Sequence, residues 1–157
     1  MHYALLDIPQ LGHDLAIAQA LNANHISLYR GPEDPQMAEM APMLFWYEPG
    51  GAFAEWLDQH WGEARGISLI TTASPEEIRK HLRRFLRIKT DDGRQLYFRF
   101  YDPRVLRVFL PTCDASQLLE FFGPVDQFYV EDLDHQQTLY FAHKDGQLLT
   151  DERRMAR

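Results

Sequence analysis

The chain has 157 residues, 45% of them hydrophobic, with a net charge of −7. That suits one globular domain with a real core and argues against a nucleic-acid binder, which normally carries a basic surplus. A single cysteine, Cys113, excludes an internal disulfide.

The N-terminal "MHYALLDIPQLGHD" lacks the charged and apolar regions of a signal peptide. No stretch approaches the roughly 18 apolar residues of a membrane span, so a cytoplasmic location away from membranes is expected. "HYALLDI" reads as a strand. In "QLGHDLAIAQALN", Leu11, Leu15, Ala18 and Leu21 form a helical stripe. "HISLY" is a second strand. "RGPEDPQMAEMAP", with three prolines, reads as a surface loop. "MLFWY" is apolar throughout, as in a strand covered on both faces.

"GGAFAEWLDQHW" puts Phe53, Trp56, Leu57 and Trp61 on one helical face, and "GISLITT" is the next strand. Ser74, Pro75 and Glu77 announce a helix through a capping box with proline at its first position. Ile78, Leu82, Phe85 and Leu86 make its buried stripe. "LRIKTDDGRQLYFRFYD" reads as a hairpin turning at Asp92-Gly93. On its second strand Leu96, Phe98 and Phe100 share one face, and Tyr97, Arg99 and Tyr101 the other. Asp102 and Pro103 then start a helix. "DASQLLEFFGP" is a further helix, capped by Asp114 and ended by Gly123. "QFYVED", "TLYFAH" and "QLLT" are short strands, the last two turning at Asp145-Gly146.

This order predicts an α/β domain with a mixed sheet. Parallel strand–helix units come first and antiparallel hairpins follow toward the C-terminus. Residues 1–125 form the main lobe, 126–150 a small β appendage of the same domain, and 151–157 a flexible tail.

Candidate chemistry is sparse. The seven histidines fall in no metal-ligand spacing, and one cysteine cannot build a structural zinc site, so no metal or cofactor is expected. Cys113 reads as a helix-flanking thiol rather than a nucleophile. "EPGGAF" at 48–53 precedes a helix but lacks a P-loop lysine and the dinucleotide three-glycine pattern. Glu131, Asp132 and Asp134 read as a solvated turn. Phe98-Arg99-Phe100 lacks the glycines that accompany base-stacking strands in RNA-recognition modules.

What stands out is "RFYDPR", Arg99 to Arg104. Asp102 fits a helix N-cap. A half-buried Arg99 needs a carboxylate, and Asp7, at the end of the first strand, can supply it. Asp7, Asp102 and Pro103 are therefore expected to form a structural corner. Arg99, Tyr101 and Arg104 are the candidates for a partner surface, Arg104 the better of the two arginines.

Several stretches carry a resemblance: "YALLD" (3–7), "SLY" (27–29), "APMLFWY" (41–47), "GISLITT" (66–72), the run 76–106 containing "RFYDPR", and "LLEFFGPV" (118–125). Together they resemble the adaptor chaperones of bacterial type VI secretion, called Tap or Tec proteins and long grouped as a domain of unknown function. The resemblance covers about residues 3–125, and "RFYDPR" is its most specific element. Two departures are a short C-terminal portion and "LLDIPQ", where members often carry a small residue after the aspartate. The resemblance implies a non-enzymatic protein that binds a secreted effector in the cytoplasm and helps load it onto the spike (VgrG-type) protein. The competing expectation is a small metal-dependent hydrolase using scattered histidines and aspartates.

Overall fold

The computed structural model describes residues 1–29 and 31–155. Its strands are β1 (His2–Leu6), β2 (His25–Ser27), β3 (Met43–Tyr47), β4 (Gly66–Ile70), β5 (Arg87–Lys89), β6 (Gln95–Tyr97), β7 (Gln127–Asp132), β8 (Gln137–Lys144) and β9 (Gln147–Arg154). Its helices are α1 (Ile8–Leu11), α2 (Asp14–Leu21), α3 (Pro35–Met40), α4 (Ala52–Gln59), α5 (Pro75–Arg83), α6 (Pro103–Phe109) and α7 (Ala115–Phe122).

Seven strands form one sheet in the order β2-β3-β1-β4-β7-β8-β9, and β5-β6 stand apart as a hairpin. Every neighbouring pair is antiparallel. The α/β class therefore stands, but the expected parallel strand–helix units are overturned. The reason is interleaving. β1 and β2 run the same way, joined through α1 and α2, but β3 lies between them. β3 and β4 also run the same way, joined through α4, but β1 lies between them. Each crossover links co-directional strands that never become hydrogen-bonded neighbours.

Both faces of the β3-β1-β4 centre are covered, which explains the unbroken apolar runs. Along β1, Tyr3 and Leu5 enter a large core with Leu44, Ile78, Leu82, Leu106 and Phe121. Ala4 and Leu6 enter a smaller one with Leu11, Ala18, Phe45, Phe53 and Trp56. Past β4, Phe128, Val130, Leu139 and Phe141 extend the large core.

Local signals account for the helix ends. Ser74 and Glu77 close a capping box on α5, and Asp114 and Gln117 do the same on α7. Asp145 (φ 53°) and Gly146 (φ 76°) make the two-residue turn between β8 and β9.

Four local expectations change. The proline-rich loop contains α3, because Asp34 caps it and Pro35 occupies its first turn. Gly12, at φ 53°, splits the first helical stripe into α1 and α2. β6 ends at Tyr97, so residues 98–102 form a bend; Phe100 is buried, whereas Leu96 is exposed. β9 reaches Arg154, so residues 151–154 are paired strand where a flexible tail was expected. Ala156 and Arg157 of that tail lie outside the described residues.

Candidate functional site: a charged corner

The bend after β6 brings the "RFYDPR" string against the end of β1. Asp7 is fixed there by its own backbone, whose N–H donates to the Arg65 carbonyl at 2.8 Å. Its side chain is 2% exposed and forms an ion pair with Arg99, whose side chain is 43% exposed. The Arg99 guanidinium also lies 5.9 Å from the centre of the Tyr101 ring. Burial pushes the Asp7 carboxyl above its ordinary value, and Arg99 only partly offsets this. One Asp7 oxygen, Oδ1, has no hydrogen-bond partner.

Asp102 is a buried N-cap. Its Oδ1 accepts from the Arg104 backbone N–H at 2.9 Å and from Arg104 Nε at 3.0 Å, while Oδ2 accepts from Nη2 at 2.7 Å. Burial would raise its pKa, but the Arg104 bonds and the Arg99 charge outweigh that and hold it below the usual carboxylate range. Pro103 follows, buried at the first position of α6. Two carboxylates and two arginines thus pin strand end, bend and helix start together.

The expected partner-facing residues divide. Arg104 (57% exposed side chain) and Arg99 present guanidinium faces to solvent. Tyr101 does not, being 1% exposed. Its hydroxyl lies 2.8 Å from that of Tyr97, so one of the two donates to the other, and the remaining proton is left for the Met40 carbonyl, 3.4 Å from Tyr101 and 3.3 Å from Tyr97. It packs inside because the bend turns residue 101 inward where a continued strand would have alternated outward. The corner is a clamp with two arginines at its rim, able to donate hydrogen bonds to carboxylates or backbone carbonyls from outside.

The other sequence candidates hold the fold together. Cys113 donates to the Phe109 carbonyl, and burial pushes its thiol up, away from a reactive thiolate. Gly51 of "EPGGAF" is the N-cap of α4. "VEDLD" is the expected solvated turn only at its end, where Asp134 lies in an exposed turn. Glu131 is buried and accepts from the Ala64 N–H at 2.7 Å, and Asp132 is buried against Arg107, His135 and Gln137. His60 and His81 contact the carbonyls of Trp56 and Phe121 at 2.8 and 2.7 Å. Among the described residues no group of three or more His, Cys, Asp or Glu is placed to hold a metal ion.

Sequence reasoning missed Arg107, which ties α6 to the end of β7 by bridging Asp132 and Asp134. It also missed Arg65, bound to Asp14 and Glu63 and lying 5.7 Å from the Trp56 ring centre. For Arg107 the available signal was an arginine set in an otherwise apolar run, "VLRVFL".

A family model described as a domain of unknown function, DUF4123, matches residues 2–120, a span that includes the whole corner. No curated protein and no solved structure matches the chain.

Proposed function

The chain belongs to the DUF4123 family, a family associated with type VI secretion effector adaptors, and on that premise we propose a specific role. The protein is a non-enzymatic adaptor that binds a secreted effector in the cytoplasm and helps load it onto the spike protein of the secretion apparatus. The observation that carries this reading is the family match over residues 2–120, with the "RFYDPR" corner inside it. The geometry supports it. The corner commits its carboxylates to internal bonds and leaves the Arg99 and Arg104 guanidiniums at the surface, where arginine is a favoured anchor for a partner chain. No helix among the described residues is long and apolar enough to cross a membrane.

The test is co-expression with the effector and spike encoded beside the gene, followed by pull-down and size-exclusion chromatography. A stable complex with the effector is expected. Arg104→Glu, checked for folding by circular dichroism, is expected to weaken that complex. Absence of a complex with every neighbouring protein would overturn the adaptor reading. A complex untouched by Arg104→Glu would confine the corner to a structural role.

A further inference from the structure

A groove follows α3, walled by α5 on one side and the β5–β6 hairpin on the other. It comprises two hollows of about 350 Å³ and 370 Å³ that share Met37 and Arg87. An ion pair between Arg87 and Asp34 crosses it at the shared border. The first hollow is cationic: Lys80, Arg83 and Arg84 surround a floor of Tyr29, Met37 and Leu86. Arg83 stacks over Tyr29 at 5.0 Å. The second has an apolar lip, where Met40 and Leu96 are 43% and 45% exposed.

The charge on this groove runs against the rest of the molecule. The chain carries −7, yet residues 79–94 hold seven of its 16 lysines and arginines and only two acidic residues, Asp91 and Asp92. Arg79 and Arg87 at the margins are paired, with Glu76 and Asp34. Among the described residues, no carboxylate lies within ion-pairing distance of Lys80, Arg83 or Arg84. Clustered like charges repel, and a carboxylate supplied from outside relieves that repulsion.

We propose that this groove docks an acidic, amphipathic segment of a partner protein. Its carboxylates meet Lys80, Arg83 and Arg84, and its apolar side chains lie on Met37, Met40 and Leu96. A partner carboxylate also competes with Asp34 for Arg87, which would join the two hollows. Each hollow has room for one or two side chains, and the acidic remainder of the chain repels a long polyanion, so a protein segment fits better than nucleic acid. Naming the partner as effector or spike rests on the adaptor reading above; the groove's preference for acidic segments does not.

The experiment compares the full chain with Lys80→Glu/Arg84→Glu, both residues being exposed. The first probe is a fluorescein-labelled synthetic helix with leucines on one face and glutamates elsewhere, followed by anisotropy. Binding by the wild type is expected, weakened at least about tenfold in the double variant, abolished by glutamine in place of glutamate, and reduced by high salt. If the reversal perturbs folding by circular dichroism, Lys80→Gln/Arg84→Gln replaces it, with a severalfold loss expected. Equal binding by wild type and variant, or binding by neither, overturns the proposal. So does preferential binding of a single-stranded oligonucleotide, or a reversal-dependent change in the chain's own oligomeric state. The second arm is the effector co-purification. A complex that the double variant retains overturns the groove and leaves the adaptor reading intact. No complex with the wild type overturns the adaptor reading, while the peptide arm still judges the groove.

Discussion

Asp7 and Asp102 are buried carboxylates of one corner, each beside an arginine, and their protonation shifts in opposite directions. The difference is hydrogen bonding. Asp102 accepts three bonds from Arg104, one of them from a helix N-terminal N–H, whereas Asp7 leaves Oδ1 without a partner. Each shift is a statement about stability. A carboxyl whose pKa is lowered by folding contributes stability above its unfolded value, near 3.8, and loses it as pH falls through the lower folded value. The cost of Asp102→Asn should therefore be largest near neutrality and shrink as the solution is made more acidic than that. Asp7 has the reverse sign. Between 3.8 and its raised folded value, increasing pH removes stability, so the cost of Asp7→Asn should be smaller at neutral pH than in acid. Urea midpoints of both variants across the acid range check this, and a pH-independent cost for Asp102→Asn would contradict the bonding described. Arg99→Ala should cost about 2 kcal/mol, below the roughly 3–5 of a fully buried pair because the guanidinium is half exposed. Urea unfolding at pH 7 measures it, and an unchanged midpoint would remove Arg99 from the structural corner. Asp102 as a cap and Asp7 as partner to Arg99 were legible because N-cap chemistry is local and a charge in apolar sequence needs a counter-charge. The burial of Tyr101 was not legible, because it depends on where the strand gives way to a bend.

Helix starts and the Asp145-Gly146 turn could be read directly, since caps and left-handed turn positions act within three or four residues. α3 was hidden among prolines even though Asp34-Pro35 carried a start signal of the same kind as Asp102-Pro103. Strand neighbours were harder, because an alternation of strands and helices is the same whether a crossover returns beside its first strand or leaves room for another. Here room was left, and Gly66 shows how closely the inserted strand fits. A Cβ at that position would lie 2.2 Å from the Leu5 carbonyl oxygen and 2.9 Å from Leu6 Cα, both backbone atoms. Gly66→Ala must therefore push β4 away from β1 in the middle of the sheet. A loss of about 3 kcal/mol or more, or failure to yield soluble protein, is expected. Thermal unfolding of the variant tests it, and a shift of only a degree or two would mean that the β1–β4 contact is looser than described.

The family match ends at residue 120, but the fold does not. β7 pairs with β4, and Phe128, Val130, Leu139 and Phe141 belong to the same core as Tyr3 and Leu5. The Thr71 hydroxyl donates to the Pro124 carbonyl at 2.6 Å where the two parts meet. A chain stopped after residue 125 would expose the edge of β4 and the rings of Phe121 and Phe122, which pack on Phe128. Such a truncation should be insoluble or form aggregates, read by the soluble fraction on expression and by light scattering. A well-folded monomer would make the last three strands a dispensable appendage. The intact sheet ends instead on β9, whose exposed Asp151, Glu152, Arg153 and Arg154 place charge along the outer strand and discourage edge-to-edge pairing.

Residues alone were enough for the class of the chain, most of its helix caps, its doubly covered strands, and the pairing chemistry of the corner. All of these follow from interactions within a few positions or from the rule that a charge in apolar surroundings finds a partner. The three-dimensional arrangement decided the antiparallel order of the sheet, the inward turn of Tyr101, the bridging by Arg107 and the gathering of Lys80, Arg83 and Arg84 beside Met37. Those depend on which distant segments share a face once both sides of the sheet must be covered, a choice made by burial of the whole chain rather than by local preference.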